Sequence, residues 1–249
     1  MIRLLSLLLL LAAPVQAEEE IVLGLSRDEI NITATFDGSD ILLFGAIRRD
    51  SPEPTGDMGV IVTVAGPDTP VTVRRKDRRL GIWVNVDDVE IAAAPSFYAV
   101  ATSAPMDDVL RPAQDMIHQI TIPQVVREVG ATVLDSQSFA RALMRIRAGN
   151  DQYQTLENEV TLSQNTLFQT SISLPANLTE GDYVAQIFLT RDGDIVDTYV
   201  TTIPVKKVGL ERWLYNLAHE NAVLYGLMSL AIAIAAGWGA SAIFGLFRR

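Results

Sequence analysis

Residues 181–205 read GDYVAQIFLTRDGDIVDTYVTTIPV, and their pattern decides the fold class. Two runs rich in β-branched and aromatic residues flank Asp192-Gly193, a dipeptide that accepts the left-handed backbone of a tight two-residue hairpin turn. The spacing predicts two antiparallel strands. Immediately upstream, "LFQTSISLP" (167–175) alternates apolar and polar residues, and "YQTLENEVTL" (153–162) predicts a further strand.

The same texture fills residues 20–102. "EINITATF" (29–36) and "DILLFGAI" (40–47) flank a turn at Asp37-Gly38, and "SPEPTGD" (51–57) reads as a loop. "MGVIVTVAG" (58–66) and "TPVTVRR" (69–75) predict a hairpin around Pro67-Asp68. "LGIWVNVDDVEI" (80–91) and "PSFYAVATS" (95–103) complete the series. Short strands with turn signals about every ten residues point to a mainly β protein, an antiparallel immunoglobulin-like sandwich. Between its halves, residues 105–149 predict a helical insertion. "MDDVLRPAQDMIHQI" (106–120) begins a helix capped near Asp107 or Asp108, with Pro112 and Pro123 limiting its runs. "DSQSFARALMRIRAGN" (135–150) is the stronger helix: Ser136 or Ser138 as cap, Phe139, Leu143 and Ile146 at helical spacing, Gly149 at the C-cap. Two small β domains joined by helices is the alternative organisation.

Both ends of the chain are apolar. Residues 1–17, MIRLLSLLLLLAAPVQA, have the basic start, apolar middle and small-residue close of a secretory signal peptide. Such a stretch is short for a bilayer span, although an uncleaved anchor is the other reading. Residues 224–247 hold no charge and are followed by Arg248 and Arg249. At 1.5 Å per residue they are long enough to cross about 30 Å of hydrocarbon as a transmembrane helix. The expected organisation is therefore an exported domain (18–205), a juxtamembrane helix (206–223), the transmembrane helix (224–247) and a cytoplasmic tail (248–249). Trp213, Tyr215 and Tyr225 suit the interfacial zone, and one continuous helix from the last strand into the bilayer would hold the domain near the surface. The absence of cysteine in an exported chain of 249 residues favours a bacterial inner-membrane protein with its N-terminal domain in the periplasm.

Four stretches, RRLGIWVNVDDV (78–89), PSFYAVATSAP (95–105), LPANLTEGDYVAQIFLTRDGDIV (174–196) and PVKKVGLERWLYNLAHENAVLYGLMSLAIAIAAGWG (204–239), together resemble the alphaproteobacterial transmembrane protein family. The resemblance implies a single-pass protein with an exported domain, of a kind whose genes often lie near those of sulfite-exporter-type anion transporters.

Composition restricts the function. Residues 18–220 hold seventeen basic against thirty acidic residues, a net charge of −13, the wrong sign for a nucleic acid partner. There is no cysteine nucleophile. His118 and His219 stand outside any metal-ligand pattern, and no nucleophile elbow, P-loop or dinucleotide fingerprint occurs. Asp87-Asp88 and Asp107-Asp108 lack calcium-loop spacing and read as turn and cap residues. Glu18-Glu19-Glu20 reads as a soluble start. No catalytic residue, cofactor or metal is expected, and the protein is not expected to be an enzyme.

Two candidate contact surfaces remain. Arg74, Arg75, Lys76, Arg78 and Arg79 make a basic run, RRKDRR, that could meet a small anion, an anionic lipid or an acidic partner. A solvated hairpin tip that discourages edge pairing is the plainer reading. Trp83 beside it could stack an arginine or fill the sandwich core. In the transmembrane helix, Ser229, Ala233, Gly237, Ser241 and Gly245 recur every four residues, and half of positions 224–247 are Gly, Ala or Ser. Lipid offers leucine no advantage over another helix, so small side chains that let backbones approach suit an integral-membrane partner or self-association. The expected partners are thus the lipid bilayer and a membrane protein. The expected function is a non-enzymatic accessory or interaction protein, with periplasmic anion binding or sensing as the alternative.

Overall fold

A computed structural model describes residues 19–26, 29–33, 36–49, 52, 54–126 and 136–247. The expected signal peptide and the two-residue tail lie outside them. The contacts divide the chain into two units, residues 1–30 with 37–205 and residues 31–36 with 206–249.

The first unit is mainly β. Strand β3 (Ser39–Arg49) buries Ile41, Leu43 and Ile47 and exposes Leu42 and Phe44, the period-two pattern of a sheet wetted on one face. It is the second strand of a four-stranded sheet ordered β1-β3-β10-β9, with β1 (Glu19–Leu25), β9 (Thr161–Ser163) and β10 (Leu167–Leu174). Here Gly45 allows a close approach: a Cβ would stand 2.5 Å from the Phe168 ring and 2.6 Å from the Val22 carbonyl oxygen.

Strand β4 (Met58–Ala65) is different, since every residue from Gly59 to Val64 is buried. A strand buried at successive positions, apolar apart from Thr63, needs cover on both faces. It lies inside the six-stranded sheet β2-β12-β11-β4-β7-β8, which includes β2 (Ile30–Ile32), β7 (Tyr98–Thr102), β8 (Tyr153–Leu156), β11 (Gly181–Arg191) and β12 (Asp194–Lys207). One face, with Ile61, Tyr98, Val100 and Phe188, packs against the helical insertion and the base of a hairpin. The β11–β12 hairpin forms as expected. Asp192 and Gly193 both take positive φ, +51° and +81°, and the strands pair from Gly181↔Val205 to Arg191↔Asp194.

Several local expectations are overturned. β4 does not pair with the strand after it but with β11 and β7. The following strand, β5 (Asp68–Arg79), instead pairs with β6 (Ile82–Pro95) as a separate two-stranded ribbon. β2 and β3, expected as one hairpin, belong to different sheets, and 153–162 splits into β8 and β9 in different sheets. The wholly antiparallel expectation also fails at β7 and β8, which run parallel. A parallel pair needs a long crossover, and the insertion between them supplies it.

That insertion contains α1 (Met106–Val109), α2 (Pro112–His118), α3 (Ile122–Val125) and α4 (Ser136–Gly149). Pro105 holds the N-cap position of α1, and Asp107 and Asp108 fall in its first turn rather than capping it. Proline at the first turns of α2 and α3 is compatible with helix initiation. Asp115 then ties the α2–α3 connection, accepting from the Ile120 and Thr121 amides at 3.1 and 2.8 Å and from the Thr121 hydroxyl at 2.6 Å. Buried Tyr98 donates to the Ile120 carbonyl at 2.6 Å, and Tyr153 to that of Pro95 at 2.9 Å. Burial pushes the Tyr153 hydroxyl up to about 12 and Tyr98 higher still, so both remain neutral hydrogen-bond donors.

Helix α4 buries Phe139, Ala140 and Leu143, while Ile146 is exposed. Ser138 lies inside its first turn and accepts from Arg75. The C-terminus closes two residues beyond the expected glycine cap. Gln152 N–H donates to the Arg147 carbonyl at 2.9 Å, Asp151 N–H to that of Ala148 at 3.2 Å, and Asp151 carries φ +56°. That is a Schellman closure with aspartate in the left-handed position. Gly149 is thus an ordinary helical residue whose Cβ would meet open space. Gly149→Ala is expected to stabilise the domain by about 0.5–1 kcal/mol through reduced backbone freedom in the unfolded chain and better helix propensity. Urea unfolding measures this, and a loss of stability would restore the glycine cap.

The second unit contains α5 (Leu210–Glu220) and α6 (Ala222–Phe247). They are not the single continuous helix expected. Asn221 (φ −135°, ψ 60°) ends α5, its N–H bonded to the Leu217 carbonyl, while its own carbonyl accepts from Tyr225. Asparagine competes with the helical backbone and favours caps, so one residue closes one helix and opens the next. Also within this unit, Val208 N–H donates to the Ile32 carbonyl at 2.8 Å.

Candidate functional site

The β5–β6 ribbon changes character along its length. At its base Val73, Val89, Ile91 and Ala94 join the core beside Phe139 and Leu143. From Arg74 outward β5 is exposed at every position. Arg74 and Arg75 lie opposite Asp88 and Asp87, opposite-charge pairs of the kind that stabilise adjacent strands. The Asp87-Asp88 pair is therefore strand, not turn.

The five basic residues do not converge on one point. Arg75 reaches Asp87 at 3.7 Å, donates to the Ser138 hydroxyl at 2.7 Å and covers the Phe139 ring at 4.6 Å. It belongs to the packing of α4. Beyond a bulge after Arg75, Lys76 faces Asn85, Asp77 faces Val84, Arg78 faces Trp83 and Arg79 faces Ile82. Cross-strand partners share a face and successive residues alternate. Lys76 and Arg78 therefore stand with Trp83 on one side, and Arg79 with Ile82 on the other. Arg79 also bonds Asp77 at 3.2 Å. Trp83 is 68% exposed, which overturns its expected place in the core: it lies on the outer ribbon, opposite the stretch where β5 is exposed at every position.

Sequence reading missed a buried charged cluster. Glu19, expected as soluble lead-in, is enclosed by two arginines. Arg49 Nε reaches Oε1 at 2.6 Å, and Arg191 Nη2 reaches Oε1 and Oε2 at 2.9 and 3.0 Å. Arg191 also donates to the carbonyls of Pro54 and Gly56 at 2.8 and 3.0 Å. Burial alone would raise the Glu19 carboxyl, but hydrogen bonds and positive charge from both arginines hold it below the ordinary glutamate range. The partners are 30 and 172 residues distant, so no local motif announces the cluster. It has no open face for a substrate and reads as a brace.

Histidines are placed apart. His118 lies edge-on to Phe188 at 5.9 Å, and His219 stacks on Tyr215 at 4.0 Å. Among the described residues, no group of three acidic or histidine side chains is arranged to hold a metal ion.

The C-terminal helix is the other candidate surface. Residues Ala222–Ser241 are long and apolar enough to cross a bilayer and have no part buried within the structure. Ser229, Ala233, Gly237 and Ser241 are exposed on α6, and Gly245 continues their row in the same helix. Trp213 and Tyr215 on α5 and Tyr225 on α6 are also exposed.

No curated protein matches this sequence. An apolar helix of membrane length following a mainly β domain agrees with the match of residues 20–245 to a family described as Putative transmembrane protein (Alph_Pro_TM), and the chain belongs to that family.

Proposed function

We propose that this protein is a non-enzymatic accessory subunit, a β domain tethered by one C-terminal span that acts by holding a membrane protein partner. The observation that carries the reading is α6: none of its apolar window is buried, and half of residues 224–247 are small. A lone anchor has no need of so many small residues, whereas helix contacts within lipid depend on close backbone approach. In this reading residues 1–17 are removed on export, the β domain stands in the periplasm, and Arg248 and Arg249 remain at the cytoplasmic face of a bacterial inner membrane. An anion transporter of the sulfite-exporter type is the partner that the family resemblance suggests. A small-anion pocket at Arg74–Arg79 has less support, because those side chains divide between two faces of a ribbon and Arg75 is occupied by α4.

Purification of the full chain from native membranes in mild detergent tests the reading. A defined integral-membrane protein, or a second copy, is expected to co-purify. Gly237→Leu with Ser241→Leu is expected to lower its recovery on the order of tenfold while leaving the chain in the membrane. Recovery of the protein alone, or indifference of the assembly to both leucines, sinks the proposal.

A further inference from the structure

We propose that the tip of the β5–β6 ribbon is a lipid-contacting wedge: Leu80, Ile82 and Trp83 enter the interfacial layer of an anionic phospholipid bilayer, and Lys76, Arg78 and Arg79 engage its phosphates. This is independent of the accessory role above.

Three features of the tip lack a structural explanation. The two-residue turn, Leu80-Gly81, takes φ of +51° and +87°, the left-handed geometry that favours asparagine, aspartate or glycine at both positions. Leucine there is conformationally costly, and such a cost is informative where packing does not return it. Packing does not: Leu80 is 106% exposed, Ile82 65% and Trp83 68%. Nor does the outer ribbon serve the core, which is served by its base. Basic residues alone would serve a soluble, unpaired edge, but three large apolar residues beside them work against solubility.

Together these residues match what a bilayer surface recognises. Beyond the paired Arg74 and Arg75, residues 76–85 carry three basic residues and one acidic one within an acidic chain, a sign complementary to anionic headgroups. The cations stand on both faces, Lys76 and Arg78 beside Trp83, Arg79 beside Ile82, so they flank an apolar point from both sides. Tryptophan settles at the headgroup level, and an exposed leucine at the turn reaches furthest. A protein interface of ordinary size needs about 800 Å² from each partner, more than three residues at the end of a narrow ribbon offer. A fluid surface needs no matching pocket. The chain also carries a helix suited to lipid.

The test uses the full chain with Trp213→Phe and Trp238→Phe, leaving Trp83 as the one tryptophan. It is reconstituted into vesicles of phosphatidylcholine, alone or mixed with phosphatidylglycerol, with and without brominated acyl chains. In the anionic vesicles Trp83 emission is expected to shift to the blue, resist acrylamide and be quenched by bromine. Raised salt weakens all three effects. Arg78→Gln with Arg79→Gln is expected to lower the ratio of embedded to water-exposed Trp83 on the order of thirtyfold, since each cation near an anionic surface changes affinity about fivefold. Leu80→Asn suits the turn better and so preserves the fold, yet is expected to lose most of the bromine quenching. Trp83 that stays open to acrylamide and insensitive to bromine in phosphatidylglycerol vesicles overturns the proposal. Protection that appears only with other proteins of the native membrane assigns the tip to a protein and overturns it equally. Neither outcome touches co-purification, so the accessory reading is judged separately.

Discussion

Glu19→Gln is expected to destabilise the folded domain by about 3 kcal/mol or more, among the largest effects of any single substitution in this chain. The Glu19 side chain is 5% exposed, those of Arg49 and Arg191 12% and 10%. A buried pair adds little over an apolar replacement, but removing one member leaves charge buried without compensation, a loss of about 3–5 kcal/mol. Here one carboxylate serves two guanidiniums, so both lose their counter-charge together. The amide keeps the volume and one acceptor oxygen, which isolates charge from shape.

The pH dependence separates this cause from general disruption. The folded Glu19 carboxyl titrates below its ordinary value, so its contribution is fully present above the unfolded pKa and is lost as pH falls through the folded one. The native protein should therefore lose stability on its acid limb, and Glu19→Gln should lack that part of the slope. The gap between the two stability curves is expected to be wide at neutral pH and to narrow steadily as acid protonates Glu19. Urea unfolding of the detergent-solubilised full chain, followed by circular dichroism of the β signal, measures both. A gap that stays constant down to the acid limit would mean that charge burial is not the reason.

Ile234→Arg is expected to cost membrane insertion about 3 kcal/mol, because Ile234 lies within the apolar window Ala222–Ser241. Arginine at a span centre is unfavourable by about 2.5–3.5 kcal/mol on insertion scales, whereas isoleucine is favourable. Lys206, Lys207 and the basic pair at the chain's end lie too far away for the new charge to be absorbed as a flank. Alkaline extraction should move a large fraction of the variant from the membrane to the soluble fraction, while Ile234→Leu remains embedded. The β domain is expected to keep its circular dichroism in both. Unchanged membrane retention of the arginine variant would remove α6 as the span.

The parts of the structure legible in the sequence are those set by neighbours along the chain. The β11–β12 hairpin was readable because the turn dipeptide and the flanking alternation lie within one short stretch. Helix α4 and the apolar C-terminal helix were readable for the same reason, period and length being local properties. Pairing was not. "MGVIVTVAG" and "TPVTVRR" are adjacent and look like two strands of a hairpin, but β4 is buried from Gly59 to Val64 and must be covered on both faces. The half-polar β5 belongs to a ribbon of its own. Helix ends are ambiguous where two residues can serve: Asp151, not Gly149, takes the left-handed position, and Asn221 separates the juxtamembrane helix from the apolar one.

The candidate surfaces divide in the same way. By itself the sequence determined a mainly β chain with a helical insertion, an acidic balance, and an apolar stretch long enough for a bilayer, because composition, period and length need no knowledge of what lies opposite. Only the tertiary structure decided that Trp83 is outside the core and that Leu80 is strained and bare. It alone separated the RRKDRR cations onto two faces and enclosed Glu19 between Arg49 and Arg191. Burial and charge pairing are relations between segments far apart along the chain, and residue order carries them only through the fold.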